Sequence, residues 1–171
     1  MSVGAAGCAT LAFAAGASAI DFGANDDTGK FKEGAAQSTF FQQMKDANLR
    51  INVMSAKFNP AAPATITDKT FLDRAIPAAG AKGLKVVLAI FPTKAKAAAE
   101  GATAAQFADY VALVARTYPQ VREFIIGNEP NQPRFWQPQF NGGTQASAAA
   151  FGHWLAAAYD TDVHEHWLRL F

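Results

Sequence analysis

Residues 85–91 read Lys-Val-Val-Leu-Ala-Ile-Phe and are followed at once by Pro92. The unbroken apolar run predicts a β-strand that is covered on both faces, as is typical of a parallel sheet. Pro92 is expected to end the strand, because proline cannot donate to the hydrogen-bond ladder of a sheet. Gly83 precedes the run and is expected to close the helix before it, in the usual position of glycine after a helix C-terminus.

Strand-like and helix-like segments alternate on both sides of this run. Three further strands are expected, over residues 19–24, 49–54 and 121–127. Helices are expected to follow the strands, over residues 34–47, 68–81, 103–118 and 144–159, with Asp68 as an N-cap and Pro77 as a kink or weak point. The order β-α-β-α-β-α-β-α predicts an α/β fold with a parallel sheet and right-handed crossovers.

Two architectures fit this order: about four βα units of a TIM barrel, or a small doubly wound sheet. No Gly-x-Gly-x-x-Gly or Walker sequence follows any of the strands, which weakens the nucleotide-binding form of the second. Polar and aromatic residues collect just after the strands instead. In a TIM barrel that is the catalytic face, so a partial TIM barrel is the favoured interpretation.

Composition excludes several classes of function. The chain has 171 residues, half of them hydrophobic, and a formal net charge of +1 without any Lys/Arg run, so nucleic acid is not an expected partner. Its single cysteine, Cys8, excludes an internal disulfide framework and a cysteine-based metal cluster. His164 and His166 do not share a helix face, since they lie two residues apart, so neither a metal nor a cofactor is expected.

Both ends of the chain differ from residues 20–160, the expected domain. Residues 1–19 are apolar and small and end in Ala17-Ser18-Ala19, the small-x-small form of a signal-peptidase site, although no Lys or Arg precedes them. They are interpreted as a signal peptide, which would make the protein secreted or periplasmic, or as an Ala-rich leader, and no membrane span is expected. Residues 161–171 lose alanine and gain two histidines, which suggests a frameshift near Asp160 or a truncated gene.

The segment that carries chemistry is Gly127-Asn128-Glu129-Pro130-Asn131, at the end of the fourth predicted strand. Glycoside cleavage needs a carboxylic acid that protonates the leaving oxygen and a neighbour that binds the sugar hydroxyl beside the reacting carbon. Glu129 suits the first task and Asn128 the second. A lone Glu after a strand is more often a helix cap or a surface charge, so the Asn-Glu-Pro context is what makes the motif specific.

Other polar and aromatic residues near strand ends are candidates for substrate binding. Trp136 and its neighbour Phe135 offer flat apolar faces that suit the C–H faces of sugar rings, and Asn131 lies within the motif. Asp26 and Asp27 follow the first predicted strand, where sugar binding and turn capping are about equally expected. A further pair, Lys57 and Asn59, ends the second strand region, and solvated loop polarity is the favoured interpretation there.

The motif resembles clan A glycoside hydrolases, in which the acid/base Glu follows an Asn at the end of barrel strand four. Asn128-Glu129-Pro130-Asn131 with the nearby Phe135-Trp136 looks like the cellulase, β-xylosidase and β-galactosidase families. Residues 40–51 are similar to the clan's first helix and second strand, and Arg50 matches the Arg that hydrogen-bonds the catalytic nucleophile. The resemblance covers about residues 20–159. Phe91-Pro92 departs from it, because family 5 cellulases usually carry His there.

The resemblance implies a retaining O-glycosyl hydrolase that acts on β-linked oligo- or polysaccharides. Its second carboxylate, the nucleophile, is a Glu on strand seven of a barrel of about 250 residues or more, and nothing in this chain occupies that position. The chain is therefore expected to be inactive or nearly so alone, and to self-associate through the exposed surface of half a barrel. The alternatives are a non-catalytic carbohydrate-binding half barrel, or an unrelated TIM-barrel or flavodoxin-like enzyme with its site away from Glu129.

Overall fold

The structure, a computed structural model, describes residues 20–161. The predicted leader over residues 1–19 and the predicted tail beyond residue 161 lie outside the described residues. The main sheet has four parallel strands, β1 (Gly23–Asn25), β2 (Ile51–Phe58), β3 (Lys85–Pro92) and β4 (Glu123–Ile126). A short antiparallel pair is formed by β5 (Phe140–Asn141) and β6 (Thr144–Gln145). The helices are α1 (Thr28–Phe31), α2 (Gly34–Asp46), α3 (Lys69–Gly80), α4 (Ala104–Thr117) and α5 (Ser147–Tyr159).

The predicted α/β fold with a parallel sheet is confirmed. The strands lie in the order β1-β2-β3-β4, so that each strand is hydrogen-bonded to its neighbour in the sequence. A doubly wound sheet reverses its strand order at a switch point. The described sheet has no such reversal, and it does not close into a barrel, since β1 and β4 form its two edges.

The core lies on one face of the sheet. Alternate residues of β2, β3 and β4 point to that face and pack against α2, α3, α4 and α5. On β3 the core residues are Val86, Leu88 and Ile90, whereas Val87 and Ala89 point to the other face. Those two side chains are also buried, as the unbroken apolar run predicts, although α2, α3, α4 and α5 pack on the core face. Within residues 20–161, no helix is long and apolar enough to cross a bilayer.

Several element boundaries differ from the prediction. Strand β2 extends to Phe58 instead of ending near residue 54, since its polar residues are hydrogen-bonded within the fold. Helix α3 continues through the exposed Pro77, which therefore does not end it. Helix α5 begins at Ser147, three residues later than expected, because the preceding residues form the β5–β6 hairpin. Gly142 and Gly143 make that tight turn possible, because both have a positive φ, of 56° and 83°.

A cluster of aromatic rings joins the end of β2 to the last two helices. The Phe58 ring lies edge-to-face on Phe107 of α4 and on Trp154 of α5, with centroids 5.5 and 6.0 Å away. The Trp154 ring also contacts Trp136, which follows β4, at 5.1 Å. The carboxyl end of β2, both helices and the segment after β4 are therefore fixed to one another by packing of large buried rings.

We expect Phe58→Ala to lower the free energy of unfolding by about 3–5 kcal/mol, because it leaves a cavity where a fully buried ring meets three others. Urea unfolding followed by circular dichroism measures the change. The matched control is Phe140→Ala, since Phe140 is 65% exposed, and its effect should stay within about 0.5 kcal/mol. Equal losses for the two variants would contradict the described core.

Candidate active site

The carboxyl ends of the four parallel strands meet at one edge of the main sheet, which we call the carboxyl edge. At this edge β4 ends at Ile126, and the backbone N–H of Gly127 donates to the Ile90 carbonyl at 2.8 Å. The chain then turns with a φ of 88° at Gly127. A Cβ at this position would lie 2.5 Å from the Phe151 ring of α5, so both the turn and the close packing require glycine. Asn128 and Glu129 follow directly.

Glu129 is exposed, and its backbone lies in the left-handed region with a φ of 42°. Among the non-glycine residues that the structure describes, only Asn48 shares a positive φ. Asn adopts this conformation readily, whereas other L-residues lose about 1–2 kcal/mol in it. The turn is held by the Gln132 N–H, which donates to the Glu129 carbonyl at 2.8 Å. Backbone strain of this kind concentrates at functional sites.

The other residues of the motif have different surroundings. Asn128 is half-buried beside Glu129, whereas Asn131 is exposed. Trp136, expected to offer its face to a sugar, is only 3% exposed and packs against Phe151 and Trp154. Its ring therefore lies in the core and does not face the carboxyl edge. An aromatic side chain that follows a strand can pack in the core as readily as it can bind a sugar ring, and the sequence does not distinguish the two.

Two aromatic residues do remain at the carboxyl edge. Phe135 is half-buried and meets Phe91 edge-to-face, with ring centroids 6.4 Å apart. Phe91 is the penultimate residue of β3 and points to the face opposite to the core, and the sequence did not single it out as a site residue. The available signal was its position as the last apolar residue before Pro92.

The segment after β4 is fixed by Gln139, a residue that sequence reasoning also missed. Its side-chain amide donates to the carbonyls of Pro130 at 3.0 Å and of Trp136 at 2.7 Å. Its side-chain oxygen accepts from the Ser147 hydroxyl at 3.2 Å, at the start of α5. Gln139 therefore ties both ends of the segment that follows Glu129 to the last helix.

The two aspartates after β1 are engaged in local structure. Asp26 accepts a hydrogen bond from the Thr28 N–H at 2.7 Å, which is the turn-capping role that the sequence left open. Asp27 accepts from both the N–H and the hydroxyl of Ser55, and so binds the end of β1 to β2. Substrate binding by Asp26 stays a prediction.

A fully buried lysine, Lys30, completes this region. Its ammonium donates to the carbonyl of Ser55 at 2.9 Å, to the Ser55 hydroxyl at 2.8 Å and to Asp68 at 3.1 Å, and it pairs with Asp27 at 3.3 Å. Asp68 is the N-cap residue of α3 as predicted, but its side chain binds Lys30 and makes no cap hydrogen bond. Sequence reasoning missed Lys30 because lysines are almost always exposed.

Arg50 lies at the amino ends of the strands, opposite to the carboxyl edge. It directly precedes β2, its backbone N–H donates to the Phe22 carbonyl at 2.7 Å, and it lines a cavity of about 370 Å³ with Lys45 and Lys82. The strand register separates its level from that of Ile126 by six residues, or about 20 Å at 3.3 Å per residue. The structure therefore does not bring Arg50 and Glu129 together, and the role that the resemblance implies for Arg50 rests on the resemblance alone.

The carboxyl edge thus combines one exposed carboxylate, an adjacent carboxamide and two aromatic rings. A carboxylic acid in such a place can donate a proton and later take one back, while the amide binds a hydroxyl group. Across residues 20–161, no three His, Cys, Asp or Glu side chains are grouped so that they could hold a metal ion.

Replacing Glu129 tests the strained turn. We expect Glu129→Gly to be more stable than Glu129→Ala by about 1 kcal/mol, because glycine adopts a positive φ without the steric cost. Thermal and urea unfolding measure the difference. The control pair is Asp109→Gly and Asp109→Ala on the exposed side of α4, where glycine should be the less stable by about 1 kcal/mol. If the Gly variant were less stable than the Ala variant at both positions, the positive φ of Glu129 would be contradicted.

Replacing Lys30 tests the buried cluster. We expect Lys30→Met to lower the free energy of unfolding by about 3–5 kcal/mol, because two partly buried carboxylates would lose their shared cation. The comparison is Lys69→Met, which removes the exposed pair with Asp73 and should cost about 0.5 kcal/mol. A loss for Lys30→Met as small as that for Lys69→Met would show that the ammonium is not buried in the folded protein.

Comparison with protein-family models and with curated protein sequences identifies no relative of this chain. No model of a protein family matches the chain, and no curated protein sequence matches it significantly.

Proposed function

We propose that Glu129 is the acid/base carboxylate of a retaining O-glycosyl hydrolase that acts on β-linked oligo- or polysaccharides. One observation carries the proposal: an exposed glutamate is held at a positive φ directly after the fourth parallel strand of a sheet whose strands follow one another in sequence order. Asn or Gly would adopt this positive φ at a lower cost in free energy. A glutamate at this position is therefore hard to explain as a surface residue without a function.

The architecture supports the same proposal. Residues 20–160 would form the first four βα units of a TIM barrel, because such units add parallel strands in sequence order with all their helices on one face. Active sites of these barrels lie at the carboxyl ends of the strands, which is the edge where Glu129 lies. The clan A resemblance of the Asn-Glu-Pro motif, with its acid/base Glu after strand four, agrees with this position.

Each residue of the site then has a chemical task. As the glycosidic C–O bond breaks, Glu129 gives its proton to the leaving oxygen, and it later takes a proton from the water that releases the sugar. Asn128 binds the hydroxyl beside the reacting carbon, and Phe135 with Phe91 lies against the C–H face of the sugar ring. A retaining enzyme also needs a nucleophilic carboxylate about 5–5.5 Å from the acid/base. The proposal assigns that role to none of the residues in these four units.

Sugar binding is the first test, because it requires no turnover. We expect a neutral β-1,4-linked tetrasaccharide, titrated into the isotope-labelled full chain, to shift the backbone amide signals of Asn128, Glu129 and Phe135 most strongly. Asn128→Ala should weaken binding several-fold, since a neutral hydrogen bond contributes about 1 kcal/mol. Gln43→Ala, on the exposed side of α2, is the matched control and should leave binding unchanged. Shifts confined to the opposite edge of the sheet would refute the proposal.

Catalysis is tested with an aryl β-glycoside that has a poor leaving group. The chain alone should release phenol at the background rate, because the proposal assigns the nucleophile to none of residues 20–160. Sodium azide can replace a missing nucleophile by bonding to the anomeric carbon while Glu129 protonates the departing oxygen, so azide should restore release and form a glycosyl azide. Glu129→Gln should lower the azide-dependent rate by about 100-fold or more. Azide-dependent release that is equal in the two proteins would exclude Glu129 as the acid.

A further inference from the structure

Four side chains at the carboxyl edge form a continuous row that we call the cation–aromatic wall: Lys57, Phe91, Phe135 and Arg134. The Lys57 ammonium lies 5.9 Å from the Phe91 ring centroid, and the Arg134 guanidinium lies 5.3 Å from that of Phe135. The two rings meet edge-to-face at 6.4 Å. The wall therefore places one cation at each end of a pair of aromatic rings, at the same edge of the sheet as Glu129.

The position of Lys57 is set by the sheet and by α4. Lys57 pairs in register with Phe91 across β2 and β3. The buried Tyr110 hydroxyl donates to the Lys57 carbonyl at 2.9 Å, and burial raises the pKa of Tyr110, so this donor keeps its proton. Phe135 and Arg134 follow β4 in the segment that Gln139 fixes.

Neither cation of the wall has a carboxylate partner in the described part of the chain. Some other cations of the fold do have one, and these include Lys30 and Arg74, the two others that lie over an aromatic ring. Many exposed lysines and arginines of the described residues lack a carboxylate as well, so the wall is distinguished by cations that lie over aromatic rings without a carboxylate partner. Lys57 is half-buried, and its ammonium lies over the face of the Phe91 ring. Two uncompensated cations next to a proposed sugar site favour a ligand that brings its own negative charge.

We propose that the cation–aromatic wall is a subsite for an acidic sugar, and that the β-linked substrate carries uronic acid residues. This inference rests on the proposed function of the same edge. The apolar face of the uronate ring packs on Phe135 or Phe91, while its carboxylate, which projects from the ring edge, binds Lys57 or Arg134. Arg134 suits this task because a guanidinium binds a carboxylate through two parallel hydrogen bonds.

The test compares two β-1,4-linked tetrasaccharides that differ only at C6, tetramannuronate and neutral mannotetraose, by titration calorimetry with the full chain. The uronate should bind about 5-fold or more tightly than the neutral sugar, as one charge pair near a protein surface implies, and salt should reduce this preference. Lys57→Met and Arg134→Met should each reduce the preference, because methionine keeps an apolar stem and loses the charge. Lys57→Arg should retain it.

The control is Lys82→Met, which makes the same change in net charge at the opposite edge of the sheet. If it reduces the preference as much as Lys57→Met does, attraction to the overall charge explains binding, and the inference is wrong. Equal binding of both sugars, with amide shifts at Asn128 and Glu129, would refute the acidic subsite and leave the proposed function standing. Absence of binding by either sugar would overturn both.

Discussion

The in-register pairing of β2 with β3, from Ile51 opposite Lys85 to Phe58 opposite Pro92, sets the position of every other part of the sheet. It places Lys57 beside Phe91, and through the next pair it places Ile126 beside Ile90. Because side chains alternate between the two faces of a sheet, the same register also separates the core side chains from those of the open face. A shift of one residue would exchange the two sets and disperse the carboxyl edge.

The site depends on this register together with a second, side-chain constraint. The segment after β4 has little regular structure, but buried Trp136 and hydrogen-bonded Gln139 hold it against α5. Burying Trp136 leaves its indole N–H without a hydrogen-bond partner in the structure, which costs free energy. Packing of the Trp136 ring against Phe151 and Trp154 offsets that cost. The segment that follows the turn at Glu129 is therefore held in place.

Much of the fold could be predicted because the responsible residues act locally. Residues 85–91 are apolar without interruption and end at a proline, so β3 was placed within one residue. The missed features depend on distant partners instead. Lys30 is buried only because Asp27, Ser55 and Asp68 converge on it from three other segments.

The candidate site was predictable in part for the same reason. The Asn-Glu-Pro motif located Glu129 at the end of a strand, because an apolar strand followed by a polar turn is a local pattern. The surroundings of Trp136 and Arg50 were not predictable, since aromatic character does not distinguish a core ring from a sugar platform. Arg50 was assigned a role from a match to a strand, whereas β2 begins at Ile51 and so leaves Arg50 at the amino end of the sheet. Self-association through the exposed surface of the sheet stays a prediction.

The shortness of β1 has a consequence for how the folded protein fluctuates. This strand has only three residues, and they are largely exposed. The hydrogen bonds of Asp27 and Lys30 with Ser55 therefore contribute much of what holds β1 and α1 on the sheet. Amide protons in β1 should therefore exchange with solvent by a local opening that leaves the remainder of the sheet intact. Each opening exposes the unpaired edge of β2, a strand of eight residues that could then pair with another chain.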